Sequence, residues 1–250
     1  MQEKYAVITK EFSCISPAGL TIRGKLYLPE KAGKLKTLIV SHGFGANYRM
    51  LEHHGSDIAG QGIACFFYDF CGGSMESLSD GRMDQMTLKT EEGDLLSVIE
   101  YAKKQPFVDA SKLYLLGESQ GGLVSAIVAA GHAEDIKGLV LWYPAFVITD
   151  DSAKRKQAGH PEVFGIKLSP EYDDVAVAVN VTEAQKAYPG PVLIIHGDAD
   201  PVVPIDYSYR AREAYPDATL TVIPGAAHGF NAAEGIVART ETIRFLLADE

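Results

Sequence analysis

The apolar run Leu113-Tyr114-Leu115-Leu116 stops at Gly117-Glu118-Ser119-Gln120-Gly121, and a small-residue helical pattern starts at once. Few chain geometries satisfy that order. A strand must turn sharply into a helix while a serine sits at the bend, in a conformation that neighbouring side chains would obstruct. Gly117 and Gly121 remove those side chains. The following helix aims its free N–H groups and positive dipole end at the serine. A serine hydroxyl is a weak nucleophile until geometry and an adjacent base activate it, and this turn supplies the geometry.

The rest of the chain alternates in the same way. Ala6 to Ile15 and Leu20 to Leu28 read as an antiparallel hairpin around Ser16-Pro17-Ala18-Gly19. Strands are expected at Thr37 to Val40, Ile63 to Phe67, Lys112 to Leu116, Gly138 to Trp142, Val192 to Ile195 and Thr219 to Ile223. Helical spacing covers Tyr48 to Gly60, Thr87 to Lys104, Gln120 to Ala130, Ile205 to Ala214 and Gly235 to Leu247. A polar loop is expected from Cys71 to Met86. This order calls for a mostly parallel sheet with helices on both faces, in one domain spanning 1–250. The stretch Tyr143 to Tyr188 reads as irregular and is too long for an ordinary connection. Pro161, Pro170 and the acid-rich Glu171-Tyr172-Asp173-Asp174 mark 144–188 as a small inserted cap with some structure of its own. Ligands in open α/β sheets bind beyond the carboxyl ends of the strands, so the cap is expected to roof that edge.

The formal charge of −10 argues against nucleic acid, which needs a basic footprint. No apolar run reaches the length of a membrane span. Met1-Gln2-Glu3-Lys4-Tyr5 lacks the pattern of a secretory leader. Three cysteines, Cys14, Cys65 and Cys71, make no complete disulfide framework and have no metal-ligand spacing. These features predict a cytoplasmic protein without nucleic-acid or membrane partners, and Cys65 is expected in the core. A homodimer is left open.

Ser119 needs a histidine to take its proton and a carboxylate to orient that histidine. Of seven histidines, His53 and His54 fall in a helical pattern, His132 ends a helix and His160 lies in the cap. His42 and His196 each follow a strand and precede a glycine, where the expected role is a hydrogen bond that shapes the loop. His228, in Pro224-Gly225-Ala226-Ala227-His228-Gly229-Phe230 between the last strand and the last helix, is the expected base. The chain order serine, acid, histidine then requires an acid between them. Asp198 and Asp200 compete in His196-Gly197-Asp198-Ala199-Asp200-Pro201. Asp200 is preferred because the following proline fixes its backbone. Two backbone N–H groups should receive the oxyanion: that of Gln120, after the serine, and that of Phe44 in His42-Gly43-Phe44-Gly45-Ala46-Asn47. One such donor is typically worth about 10²–10³ in rate.

With these residues assembled, the chain resembles an α/β-hydrolase of mostly parallel, eight-stranded architecture with a small inserted cap. More narrowly it is similar to bacterial cinnamoyl (feruloyl) esterases. The similarity rests on the His42–Asn47 segment, Asp69-Phe70 followed by Gly72-Gly73-Ser74, Ser119-Gln120-Gly121-Gly122, and His228-Gly229-Phe230. The resemblance implies a serine carboxylic-ester hydrolase that works through an acyl-enzyme on a small-molecule ester, with hydroxycinnamate esters as the narrower expectation. It also implies substrate contacts from Asp151 and Phe230, and neither metal nor organic cofactor. Glu118 departs from the pattern, since those esterases usually carry histidine before the nucleophile. The Cys71–Ser74 loop departs too. A peptidase, thioesterase or acyltransferase of the same fold is the alternative within the chemistry. A ligand-binding relative without turnover is the alternative outside it.

Overall fold

Hydrophobic runs buried on both faces build the sheet that carries the site. In the computed structural model, residues 4–160 and 162–248 are described; Pro161 and the first three residues lie outside them. The strands are β1 (Val7–Ile15), β2 (Thr21–Pro29), β3 (Leu35–Ser41), β4 (Ala64–Tyr68), β5 (Val108–Glu118) and β6 (Gly138–Trp142). After the cap hairpin β7 (Glu162–Val163) and β8 (Ile166–Lys167) come β9 (Val192–Gly197) and β10 (Ala218–Ile223). Eight strands pair in the order β1-β2-β4-β3-β5-β6-β9-β10. Only β2 runs against its neighbours, so the expected mostly parallel sheet is present.

The main helices are α1 (Gly55–Ala59), α2 (Leu88–Lys103), α3 (Ser119–Gly131), α7 (Asp206–Ala214) and α8 (Ala232–Leu247). Successive strand residues point to opposite faces. Ile39, Phe66, Leu115, Leu141 and Ile194 pack with Leu88 and Leu95 of α2, Leu123 of α3 and Ala211 of α7. Leu38, Phe67, Leu116, Val140 and Ile195 pack with Ile58 of α1 and with Ala238 and Leu246 of α8. Burial on both faces explains why these strands read as continuous apolar runs. Among the described residues no helix is long and apolar enough to cross a membrane. Cys65 is buried.

Strand order reverses around β3, which has β4 on one side and β5 on the other. That switch point opens a crevice at the carboxyl ends of β3 and β5, and both Ser119 and the His42–Asn47 loop start there. Ser119 has φ of +49°, a left-handed value that costs a residue with a Cβ and is held only when surrounding structure enforces it. The enforcement is steric. A Cβ on Gly117 would lie 2.2 Å from the carbonyl oxygen of Gly121, and one on Gly121 would lie 2.4 Å from that of His42.

One sequence expectation is corrected and another is made specific. Tyr48 to Gly60 is not one helix but two single 3₁₀ turns, Tyr48–Met50 and Glu52–His54, followed by the short α1. Tertiary bonds override the helical spacing here. Asp69 takes the Tyr48 N–H (2.7 Å), and Glu52 is pulled to Lys25 (2.8 Å) and Tyr27 (2.9 Å). The stretch Tyr143 to Tyr188, where the sequence pattern places a cap with some structure of its own but no defined element, holds α4 (Ile148–Ala158), the β7–β8 hairpin, α5 (Pro170–Val177) and α6 (Val181–Ala187). Helices α4 and α5 pack together, and α6 lies against α3 and α7. Arg155 ties α4 to α5 by bonding Asp173 at 2.7 Å.

Gly117→Ala is expected to cost about 3 kcal/mol, since backbone rather than a movable side chain fills the space. Gly131→Ala, which meets nothing within 4 Å, should instead be neutral or slightly stabilising. Thermal unfolding followed by circular dichroism separates the two outcomes.

Candidate active site

Three strand ends bring the expected side chains together. Ser119 follows β5, Asp200 lies in the loop after β9, and His228 lies between β10 and α8. His228 Nε2 is 2.9 Å from Ser119 Oγ, and its Nδ1 is 2.7 Å from Asp200 Oδ2. Asp200 Oδ1 accepts the N–H groups of Val202 (2.8 Å) and Val203 (2.9 Å). Burial works against a charge on Asp200. The bonds from His196, His228 and the Val203 amide outweigh it and hold the carboxyl well below the usual carboxylate range. The loop of His228 is pinned on its far side by a reciprocal cap, in which Asn231 and Glu234 bond each other's backbone N–H.

The competing Asp198 has a different job. It accepts the Gly225 N–H at 2.6 Å and so staples the His228 loop to the acid loop. His196 is buried, with Nδ1 2.6 Å from Ser208 Oγ and Nε2 3.1 Å from both Asp200 Oδ2 and the Val203 carbonyl. The Nε2–H tautomer satisfies all three contacts. His196 therefore shapes its loop, as expected, and also bonds the acid directly. His42 is the other loop-shaping histidine. Its Nδ1 lies 2.8 Å from the Gly43 carbonyl, and its Nε2 accepts the Phe70 N–H at 3.1 Å. Burial pushes its pKa down, so the ring stays neutral and able to accept.

Gln120 lies in the first turn of α3, where backbone N–H groups have no partner within the helix. The Phe44 N–H has no protein acceptor among the described residues, which leaves both amides open to an oxyanion. The loop carrying Phe44 is tied down by Glu118, whose Oε1 takes the Gly43 N–H at 3.3 Å. The other carboxylate oxygen receives the hydroxyl of Tyr143, a residue that itself holds φ of +36°. Burial pushes the Glu118 pKa up against the pull of these two donors and of His228.

Two cavities meet at Ser119. One, of about 350 Å³, runs beneath the cap and is lined by Gln120, Val147, Ile148, Asp151, Phe164 and Tyr172. The other, of about 310 Å³, lies beside His228 with Glu118, Trp142, Tyr143 and Phe230 in its wall. Asp151 thus reaches the cap cavity, with Oδ1 held by Lys154 at 3.0 Å. Phe230 belongs to the second cavity and packs its ring on Tyr143 at a centroid distance of 4.7 Å.

Sequence reasoning missed one further network. The Gln120 carboxamide donates to Glu91 Oε2 (2.8 Å) and accepts the hydroxyl of Tyr172 on α5 (2.6 Å). This hangs the cap on the residue after Ser119. Glu91 lies on the apolar face of α2 with Leu88 and Leu95, and an acid in that stripe is the signal that marks it. Among the described residues one group could hold a metal ion, His132, Glu134 and Asp135. It lies past the far end of α3, about 20 Å from Ser119 by helix rise, and Asp135 already pairs with Lys103.

A mostly parallel sheet with helices on both faces and a serine on a strained strand-to-helix turn at its switch point define an α/β hydrolase. The model of the serine aminopeptidase S33 family matches residues 33–164, and the chain belongs to that family. Among solved structures it is similar to Est1E from Butyrivibrio proteoclasticus bound to ferulic acid. The two are 28% identical, the match covers 94% of this chain and 98% of that one, and the TM-score is 0.82. An esterase from Exiguobacterium antarcticum shares the fold, at 18% identity, TM-score 0.70, and coverage of 94% of this chain and 98% of that one. The uncharacterized protein YfhR of Escherichia coli O157:H7 is 26% identical over 230 residues, which is 89% of this chain and 75% of that one.

Burial raises the Glu91 carboxyl from 4.5 to about 8, with Asp94 adding to the rise and the Gln120 bond opposing it. An acid whose pKa rises on folding takes up a proton as the chain folds. Its stabilising share is therefore complete below the unfolded value and lost as the pH climbs through the folded one. Between about pH 5 and 8 stability should fall by up to about 1.4 kcal/mol per pH unit from this group. Glu91→Gln should remove that slope while keeping an acceptor for Gln120, as read by denaturant unfolding at several pH values.

Proposed function

We propose that the protein is a serine carboxylic-ester hydrolase with Ser119 as nucleophile, His228 as general base and acid, and Asp200 as the orienting carboxylate. The observation that carries this reading is the continuous bond chain from Ser119 Oγ through His228 to Asp200. Ser119 Oγ attacks the ester carbonyl as its proton passes to His228 Nε2. The N–H groups of Phe44 and Gln120 hold the oxyanion. His228 then returns the proton to the departing alkoxide, which leaves as the alcohol and an acyl-Ser119. Water, deprotonated by His228, attacks that acyl group and releases the acid. Asp200 keeps the imidazole tautomer and stabilises the imidazolium between steps.

His228 lines only the second cavity. Because it must protonate the leaving group, that cavity receives the alcohol, and the cap cavity receives the acyl group. Hydroxycinnamoyl groups are the narrower proposal for the acyl part. The likeness to Est1E with bound ferulic acid and the aromatic lining of the cap cavity by Phe44, Phe164 and Tyr172 support it. The family description as aminopeptidases favours amide cleavage as the second reading, since the same acyl-enzyme serves both.

A fluorophosphonate probe should label Ser119 in the intact protein and leave Ser119→Ala unlabelled. Ser119→Ala and Asp200→Asn should each lower kcat on p-nitrophenyl esters by about 10⁴-fold or more. Rates on methyl ferulate, short p-nitrophenyl esters and aminoacyl anilides rank the acyl choices. Absence of labelling would sink the serine mechanism, and anilides as the best substrates would transfer the assignment to a peptidase.

A further inference from the structure

Glu118 has no part in the steps above, yet it directly precedes the nucleophile and is only 8% exposed. Glu118 is among the residues that line the alcohol-side cavity and is absent from the lining of the cap cavity. Both of its hydrogen-bond donors, the Tyr143 hydroxyl and the Gly43 N–H, are neutral, and the charge that acts on it is that of the His228 imidazolium. Among the described residues no lysine or arginine forms an ion pair with it. Burial pushes the Glu118 pKa up, and a cation seated in the cavity that Glu118 lines would offset that cost and favour the carboxylate.

The rest of the cavity fits such a guest. Phe44, Trp142, Tyr143, Phe164 and Phe230 line it, and aromatic faces attract cations. No lysine or arginine lines it, whereas the cap cavity has Lys154 and Arg155 in its wall. His54 adds no charge, because burial, His53 and Arg239 drive its pKa down to about 3. Arg239 itself pairs with Asp57.

We propose that the alcohol-side cavity selects esters whose leaving group is a cationic amino alcohol, held by the Glu118 carboxylate and the surrounding aromatic rings. This rests on the ester-hydrolase reading, through the role of His228 in marking the leaving-group side. The guest is a quaternary or protonated amine on a short alcohol. Glu118 is then a specificity residue, which explains an acid where the feruloyl esterases the chain resembles carry histidine.

Two esters of one acyl group provide the test, one of choline and one of 3,3-dimethylbutanol, which replaces the charged nitrogen with carbon. We expect about tenfold higher kcat/KM for the choline ester, the size of a desolvated cation–aromatic contact. In Glu118→Gln the ratio should fall to near one. Comparing the two esters within each protein cancels any shared disturbance of the Gly43 loop. Binding gives a readout independent of turnover. Trp142 is the only tryptophan, so tetramethylammonium should change its fluorescence saturably in Ser119→Ala, and more weakly once Glu118→Gln is added. Equal kcat/KM for the two esters, or a ratio unchanged by Glu118→Gln, overturns the proposal. If no ester is cleaved and Ser119 is not labelled, the hydrolase reading fails instead. Saturable, Glu118-dependent fluorescence in that case still supports a cation site, and its absence overturns it.

Discussion

The backbone of Gly121 approaches the carbonyls of Ser41 and His42 so closely that a side chain would lie within 2.5 Å of either oxygen. That contact locks the start of α3 against the end of β3, and the rest of the site depends on it. With α3 at this distance, Ser119 must take its left-handed backbone. The loop carrying Phe44 comes close to the serine, since a Cβ on Gly43 would lie 3.0 Å from that of Ser119. The strain is sustained because backbone atoms, which cannot rotate out of the way, surround it.

Acids buried around this core meet the cost of burial in different ways. Asp200 receives four N–H or imidazole donors and stays ionised. Glu91 receives one carboxamide and shifts toward its neutral form. Asp94, pushed up to about 7 by burial, keeps the Cys71 N–H as partner. Donors and depth act together, since Asp200 has the most donors and is the least buried of the three. The carboxylate beside His228 draws its donors from the end of β9, the loop after it and the loop after β10.

Much of the site was legible because Ser119, Asp200 and His228 each stand where an apolar run ends, and strand ends can be counted along a chain. The choice between Asp198 and Asp200 rested on a proline's backbone restriction, and the structure gives the two acids distinct bonding partners. The individual elements of the cap were not legible. Its helices are short, and their reason for existing lies in partners far away along the chain, such as Tyr172 meeting Gln120 across 52 residues. The Tyr48 to Gly60 segment misled for a related cause. Its spacing is helical, but Asp69 and Lys25, from other elements, set its backbone. Glu118 was visible as an oddity, while its partner Tyr143 depends on a positive φ that no spacing pattern encodes.

Gln120 joins three parts of the molecule, following Ser119 along the chain with its carboxamide nitrogen on α2 and its carboxamide oxygen on the cap. A graft that swaps the cap for a relative's therefore brings a new partner for that oxygen. If the donor cap has no hydroxyl at the place of Tyr172, the carboxamide loses one of its two anchors and can turn over. The heritable unit of specificity is then larger than the cap. Transplanting it intact means carrying along a glutamate from a helix on the far side of the serine.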